Sequence, residues 1–186
     1  MKIRFFVDMD GVLAKWENVS IEETHEAGYF ASRVADDDAI ELVGELKKKS
    51  SAECDVEVKI LTSTYEDDHS EAEKRNWVVV EKIPVPQEDI ICVPYGKDKF
   101  EYVEDGEGIL NVLIDDYGKN LKAWEDHGFF AVKYYNGINN QPKLSVNEDG
   151  SVSVTIDSWF GASVDNRMTG KAMAKRILAL AKAEIS

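Results

Sequence analysis

The stretch Ile3-Arg4-Phe5-Phe6-Val7-Asp8-Met9-Asp10-Gly11-Val12-Leu13 decides how the chain is read. Five β-favouring residues, four of them apolar, run straight into two acids and a glycine. A short apolar run without polar alternation is what a strand looks like when both faces are buried, as in a parallel sheet covered by helices. Similar runs follow at Val56 to Leu61, Ile90 to Val93, Leu110 to Ile114 and Phe129 to Val132, the last extending through Tyr134 and Tyr135.

Helical patterns lie between these runs. Asp38 to Lys49 sets Ile40, Val43, Leu46 and, at the edge, Leu42 on one side. Ser70-Glu71-Ala72-Glu73 has capping-box spacing and opens a helix that carries Ala72, Trp77, Val80 and Ile83. Leu121 to His127 contains Leu121 and Trp124, and Gly128 is placed to end it. Strands alternating with helices predict an α/β fold, a Rossmann-like three-layer parallel sheet with right-handed crossovers. Two segments stand outside the alternation. Residues 14–37 hold Trp16, Tyr29 and Phe30 among acids and are expected to form a small cap. From about residue 140 a hairpin-plus-helix extension is expected. Leu144 and Val146 alternate with polar residues, Glu148-Asp149-Gly150 supplies a turn, and Val152, Val154 and Ile156 alternate again. Thr169 then caps a helix through Ala183 with Met173, Ile177, Leu180 and Ala181 inward. The expectation is one domain over 1–186, with no internal repeat.

Composition narrows the partners. The chain has 186 residues, 44% of them apolar, so it can bury a full-sized core. Lys plus Arg number 22 against 36 Asp plus Glu, a net charge of −14. So acidic a surface repels duplex nucleic acid and anionic lipid. No apolar run approaches the roughly 20 residues that span a bilayer, and the start has no secretory signal, so a cytoplasmic location is expected. Cys54 and Cys92 have neither metal-ligand nor redox spacing and read as buried thiols. His25, His69 and His127 read as surface or packing residues. Asn18-Val19-Ser20 matters as a glycosylation site only in a secreted protein.

The chemistry-bearing residues fall at the carboxyl ends of the expected strands, the edge where open parallel sheets bind ligands. Asp8, Asp10 and Gly11 end the first, Thr62 and Ser63 the second, Asp115 and Asp116 the fourth. Lys97 and Lys99 precede the fourth. Converging carboxylates repel one another, and a hard divalent cation with oxygen ligands neutralises them; Mg²⁺ suits a site of few carboxylates. Hydroxyls and an ammonium group beside it suit an anion, and together these parts describe phosphoryl transfer. Hydrolysis of a phosphate monoester is accelerated by enzymes up to ~10²¹-fold, about 28 kcal/mol. A general base supplies only ~10²–10⁴. A carboxylate nucleophile that forms an aspartyl-phosphate divides the reaction into two easier displacements. Two Asp residues separated by one residue, both facing one side of an extended strand end, suit that division.

These residues resemble the motifs of the haloacid dehalogenase superfamily of phosphatases. Asp8-Met9-Asp10-Gly11-Val12-Leu13 is similar to its first motif, Ile60-Leu61-Thr62-Ser63 to its second and Leu113-Ile114-Asp115-Asp116 to its fourth. For the third, a lysine before the fourth strand, Asp98-Lys99-Phe100-Glu101-Tyr102-Val103 is more similar than the surroundings of Lys97. The order holds from residue 3 to about 135. Within the superfamily the chain most resembles 5′(3′)-deoxyribonucleotidases and related bacterial or phage nucleotidases, through Asp8 to Leu13, Gly28-Tyr29-Phe30, Thr62-Ser63, Glu73-Lys74 with Trp77-Val78, and Leu113 to Asp116. The resemblance implies Asp8 as nucleophile and Asp10 as acid/base, with Gly11, Thr62, Ser63, Lys74 and Lys99 at the phosphate. It implies Mg²⁺ held by Asp8, the Asp10 carbonyl and Asp115, with Asp116 supporting. It also implies a small phosphorylated substrate, a nucleoside monophosphate, whose base stacks on Tyr29, Phe30 or Trp16. The stretch from Gly11 to Gly28 is much shorter than in the animal enzymes, and residues beyond 140 have no assigned counterpart.

Other readings of the same residues stay open. Asp115-Asp116 by itself suits a helix N-terminus, as does Asp36-Asp37-Asp38. Lys74, beside Glu71 and Glu73, equally suits a solvated charge. Tyr29, Phe30 and Trp16 suit lid packing as well as a base platform. At the level of function the alternatives are a phosphatase for a non-nucleotide ester and a non-catalytic binding protein. A phosphorylated receiver module has its acidic pair first and its phosphorylated Asp later, the reverse of the order here.

Overall fold

A computed structural model of the chain describes residues 2–17, 19–51, 54–138, 143–146, 151–155, 159 and 161–185. Asn18, Pro142, the turn Glu148-Asp149-Gly150 and Ile156 lie outside the described residues. The five expected strands form as β1 (Lys2–Val7), β2 (Asp55–Thr64), β3 (Ile90–Pro94), β4 (Ile109–Asp115) and β5 (Phe130–Tyr135). A hairpin of β6 (Lys143–Val146) and β7 (Val152–Thr155) pairs antiparallel, with Leu144 opposite Val154. A further short strand, β8 (Ala162–Asp165), had no signal in the periodicity.

The sheet has six strands in the order β3-β2-β1-β4-β5-β8, and every neighbouring pair is parallel. The chain first builds outward from β1 to β3 and then returns to the other side of β1 with β4. The point where the direction reverses lies between β1 and β4, where Val7 is level with Ile114. In open parallel sheets the crevice at such a reversal takes the ligand.

Side-chain parity divides the core. Ile3, Phe5 and Val7 of β1 share one face with Val58, Ile60, Val112 and Ile114, covered by α2 (Asp37–Lys47), α3 (Ser70–Val80) and α5 (Gly170–Glu184). Phe6, Leu61, Val93, Leu113 and Ala131 face the other way, onto α4 (Gly118–Asp126) through Leu121 and Trp124. The period-two alternation of a strand makes one sequence serve both layers. Trp124 packs edge-on to Phe6 with ring centres 5.5 Å apart. Cys54 is buried and Cys92 partly so, both as free thiols. Among the described residues no helix is long and apolar enough to cross a membrane.

Two expectations about local structure need correcting. Ser70 does not cap α3. It is the first helical residue, its backbone N–H donates to Asp67 Oδ1 at 2.6 Å, and its hydroxyl exchanges hydrogen bonds with the Tyr65 backbone. The capping box lies instead at α1 (Ile21–Thr24), between Ser20 and Glu23. The tail, too, is more than a hairpin and helix, because β8 extends the main sheet beside β5. Thr169 does cap α5, accepting from Ala172 N at 3.3 Å. Asp38 and Glu41 of α2 accept from Gly170 N and Lys171 N, so α2 supplies part of the cap of α5.

At Gly170 the two helices come into tight contact: a Cβ there would lie 2.3 Å from the Asp38 carbonyl oxygen and 2.5 Å from Leu42 N. Backbone cannot yield as a side-chain tip can. Gly170→Ala is expected to lower stability by about 1–3 kcal/mol, the usual cost of overpacking. Urea unfolding measures it; an unchanged midpoint would mean that α5 is not seated on α2 as described.

Candidate active site

The site is built on a tight turn. Asp8 N donates to Ile114 O at 2.9 Å, which keeps Asp8 in line with β1. The chain then folds back over buried Met9, with Gly11 N bonded to Ala14 O and Ala14 N to Met9 O, each 2.8 Å. Gly11 has φ +82°, and a Cβ on it would meet Asp116 Oδ2 at 2.2 Å. Only glycine allows this turn and this approach. The extended backbone therefore ends before Asp10, and Asp8 and Asp10 turn to different lysines instead of sharing one direction.

Asp8 lies 2.9 Å from Lys99 Nζ, and Lys99 also reaches Asp115 at 2.7 Å. Asp10 pairs with Lys74 Nζ, which donates in addition to Thr62 Oγ1 at 3.1 Å and the Ser63 carbonyl at 2.5 Å. Both lysines are buried, so neither is a solvated charge. A single 3₁₀ turn, Lys99–Tyr102, brings Lys99 in, whereas Lys97 is exposed. Thr62 faces inward; Ser63 gives its carbonyl, and its hydroxyl has no hydrogen bond among the described residues.

Oxygens of Asp8, Asp115 and Asp116 lie within 4.8 Å of one another. Asp115 is wholly buried and accepts from Tyr117 N at 2.7 Å and Asn120 Nδ2 at 3.0 Å, so it also serves the start of α4. The helix-terminus reading of this acid therefore holds. Burial pushes the Asp8 carboxyl up to about 7; the Asp115 charge adds to the shift and Lys99 opposes it. Burial also raises Asp116 well above the usual carboxylate range, again with Asp115 and Asp8 adding. Burial by itself would lower Lys99, but Asp115 and Asp8 more than offset it, and the lysine stays protonated. The all-oxygen donor set is of the kind that a hard divalent cation takes.

No protein-family model matches this chain, and no curated protein matches it. The residues themselves have to carry the functional reading.

Three contributors escaped the sequence reading. Lys133, fully buried on β5 and level with Asp115, acts electrostatically on Asp116. Its signal was a lone charge inside the apolar run Ala131 to Tyr134. Asn136 Nδ2 donates to Asp116 Oδ2 at 2.8 Å and to Gly11 O at 3.1 Å, and a loop asparagine gives no warning of that. Glu73, expected to cap its own helix, accepts from Gly28 N at 2.6 Å and Phe30 N at 3.1 Å, tying residues 28–31 to α3.

The expected aromatic platform is rearranged. Phe30 is buried, with Lys74 Nζ 4.2 Å from its ring centre, so its ring covers the lysine. Tyr29 meets Phe30 edge-on and carries the Arg33 guanidinium 4.6 Å above its ring. Trp16 stays partly exposed. A second ring cluster gathers around Tyr65, just after β2: His25, at the end of α1, stacks on it with centres 3.8 Å apart, and Tyr95, just after β3 and 66% exposed, lies 5.2 Å from it.

The raised Asp8 carboxyl sets a pH dependence. Between its ordinary value and about 7 the folded protein keeps a proton there that the unfolded chain has lost, so stability falls as pH rises through that window. Asp8→Asn has no charge to bury. With chelator present its melting temperature is expected to climb relative to the parent's as pH rises from 5 to 7, and to hold that lead at pH 8. A constant difference across that range would mean that Asp8 is ionised throughout.

Proposed function

We propose that the chain is a Mg²⁺-dependent phosphatase of the haloacid dehalogenase type, hydrolysing (deoxy)ribonucleoside monophosphates through an aspartyl-phosphate on Asp8. The observation that carries this reading is the separation of two acids from one turn: Asp8 lies against Lys99 and Asp115, while Asp10 has its own ammonium partner in Lys74. One acid is placed to attack and the other to handle protons.

In this reading an Asp8 oxygen bonds to phosphorus as the ester P–O bond breaks, and Asp10 gives a proton to the leaving oxygen. Asp10 then takes a proton from the water that attacks phosphorus and frees Asp8. Lys74, Lys99 and Thr62 hold the phosphate oxygens. The side chains of Asp8, Asp115 and Asp116, with the Asp10 carbonyl that the family resemblance implies, would hold Mg²⁺. That ion supplies the positive charge that keeps Asp8 ionised beside its acidic neighbours and lets a dianion approach. Burial around Asp8 and Asp115 strengthens every one of these charge interactions.

The ring cluster of Tyr65, His25 and exposed Tyr95 supports a substrate with a planar base, since aromatic rings are sequence-tolerant stacking platforms. The inward turn of Phe30 favours a second reading, a phosphate ester without a base.

A phosphate-release screen over nucleoside monophosphates, sugar phosphates and an aryl phosphate, with and without Mg²⁺, separates the two. Nucleotides are expected to lead, and only with Mg²⁺ present. Asp8→Asn is expected to abolish release while keeping the fold by circular dichroism; undiminished turnover in that variant would rule out the mechanism. Mg²⁺ at 100 times its dissociation constant is expected to add ~2.7 kcal/mol of stability. Thermal melts read that shift without any substrate.

A further inference from the structure

We propose that Asn166 and Asn136 form a relay through which the C-terminal segment positions Asp116 and the Gly11 turn at the cation pocket. The inference rests on the metal-binding reading above and adds two positioning residues that act through Asp116. Asn166 follows β8. Its backbone N–H donates to Tyr135 O at 2.9 Å and its Nδ2 to Asn136 O at 2.8 Å. Asn136 follows β5. Its Nδ2 spans Gly11 O and Asp116 Oδ2, and its Oδ1 accepts from Ile138 N at 3.0 Å. A continuous chain of hydrogen bonds thus joins the tail to an acid of the cluster and to the turn that carries Asp8 and Asp10.

The chemistry demands a carboxamide at position 136. Both groups in front of Nδ2, a carbonyl and a carboxylate, are acceptors, and a single NH₂ group can donate to both. Aspartate would add a fourth negative charge beside Asp8, Asp115 and Asp116. An alkyl side chain would leave both acceptors without this donor. A cavity of about 170 Å³ opens beside Asn136, lined also by Gly11, Ile138 and Asn166, so packing is incomplete on that side. A side chain next to a void depends more on its hydrogen bonds for orientation. Asp116 itself lies between the Gly11 backbone and Asn136, so a rotated Asn136 removes one of the contacts that place the carboxylate.

The test is Mg²⁺ titration by calorimetry on the parent protein, Asn136→Leu and Asn166→Ala. Partners behind a metal ligand typically cost roughly 10–100-fold in affinity when removed, and that loss is expected for Asn136→Leu. Asn166→Ala, which touches no member of the acidic cluster, is expected to weaken Mg²⁺ several-fold in the same direction. In turnover assays the half-saturating Mg²⁺ concentration should move further than kcat at saturating Mg²⁺. Affinities within twofold of the parent in both variants overturn the relay, as does a loss of melting temperature and kcat at unchanged Mg²⁺ affinity. If Asn136→Leu does not fold, Asn166→Ala decides by itself. A parent protein that takes up no Mg²⁺ removes the metal reading and this inference with it. Normal Mg²⁺ binding by parent and variants alike removes only the relay.

Discussion

Mutual repulsion among the carboxylates of Asp8, Asp115 and Asp116 is the constraint around which the structure is arranged. Adjacent parallel strands bring their ends side by side, so acids at the ends of β1 and β4 meet by topology. Bringing such charges together in a buried place costs far more than exposed pairs return. The fold answers with buried ammonium groups: Lys99 on Asp8 and Asp115, Lys74 on Asp10, and Lys133 beside Asp116. Four carboxylates against three ammonium groups leave one negative charge if all are ionised. Proton uptake by Asp8 and Asp116, or a bound cation, relieves that excess, and the two compete.

Helix α3 couples the acids to the segment that overhangs them. Glu73 and Lys74 are neighbours on a helix, about 100° apart. One reaches outward to the backbone of residues 28–31, and the other inward to Asp10 and Thr62. Phe30, anchored by the first, lies over the second. A shift of α3 would therefore move the lysine and the overhang together. Thr24 adds a tie from the same overhang, through its hydroxyl at 2.8 Å from Tyr65 Oη.

The tail works from the opposite flank. Helix α5 packs on α2 with Gly170 at a tight contact, and Arg176 Nε donates to Ser163 O at 2.7 Å, fastening the helix to β8. With β8 beside β5, the loop after β8 reaches Asn136. Residues some 150 positions after Asp8 thus come to border the turn that holds it. Nothing local in Asn166 or Asn136 forecasts that meeting, because a hydrogen bond across such a separation exists only once the sheet order is set.

By itself the sequence determined the elements and the chemistry on offer. Apolar runs marked five strands to within a few residues, since burial on both faces leaves few alternatives, and Asp8, Asp115, Asp116 and Thr62 stood at or beside the strand ends. Residue spacing also misled where two partners competed for one group. Glu73 had the spacing to cap α3, but the free N–H groups of residues 28–31 claimed its carboxylate. Tertiary structure alone decided which lysine met which acid, that Lys133 and Asn136 join the cluster, that Phe30 turns inward, and that β8 completes the sheet. The physical reason is range. Periodicity and turn chemistry are local and survive in a one-dimensional reading, whereas the pairing of a charge or an amide with a distant partner depends on strand order and on where the leftover donors end up.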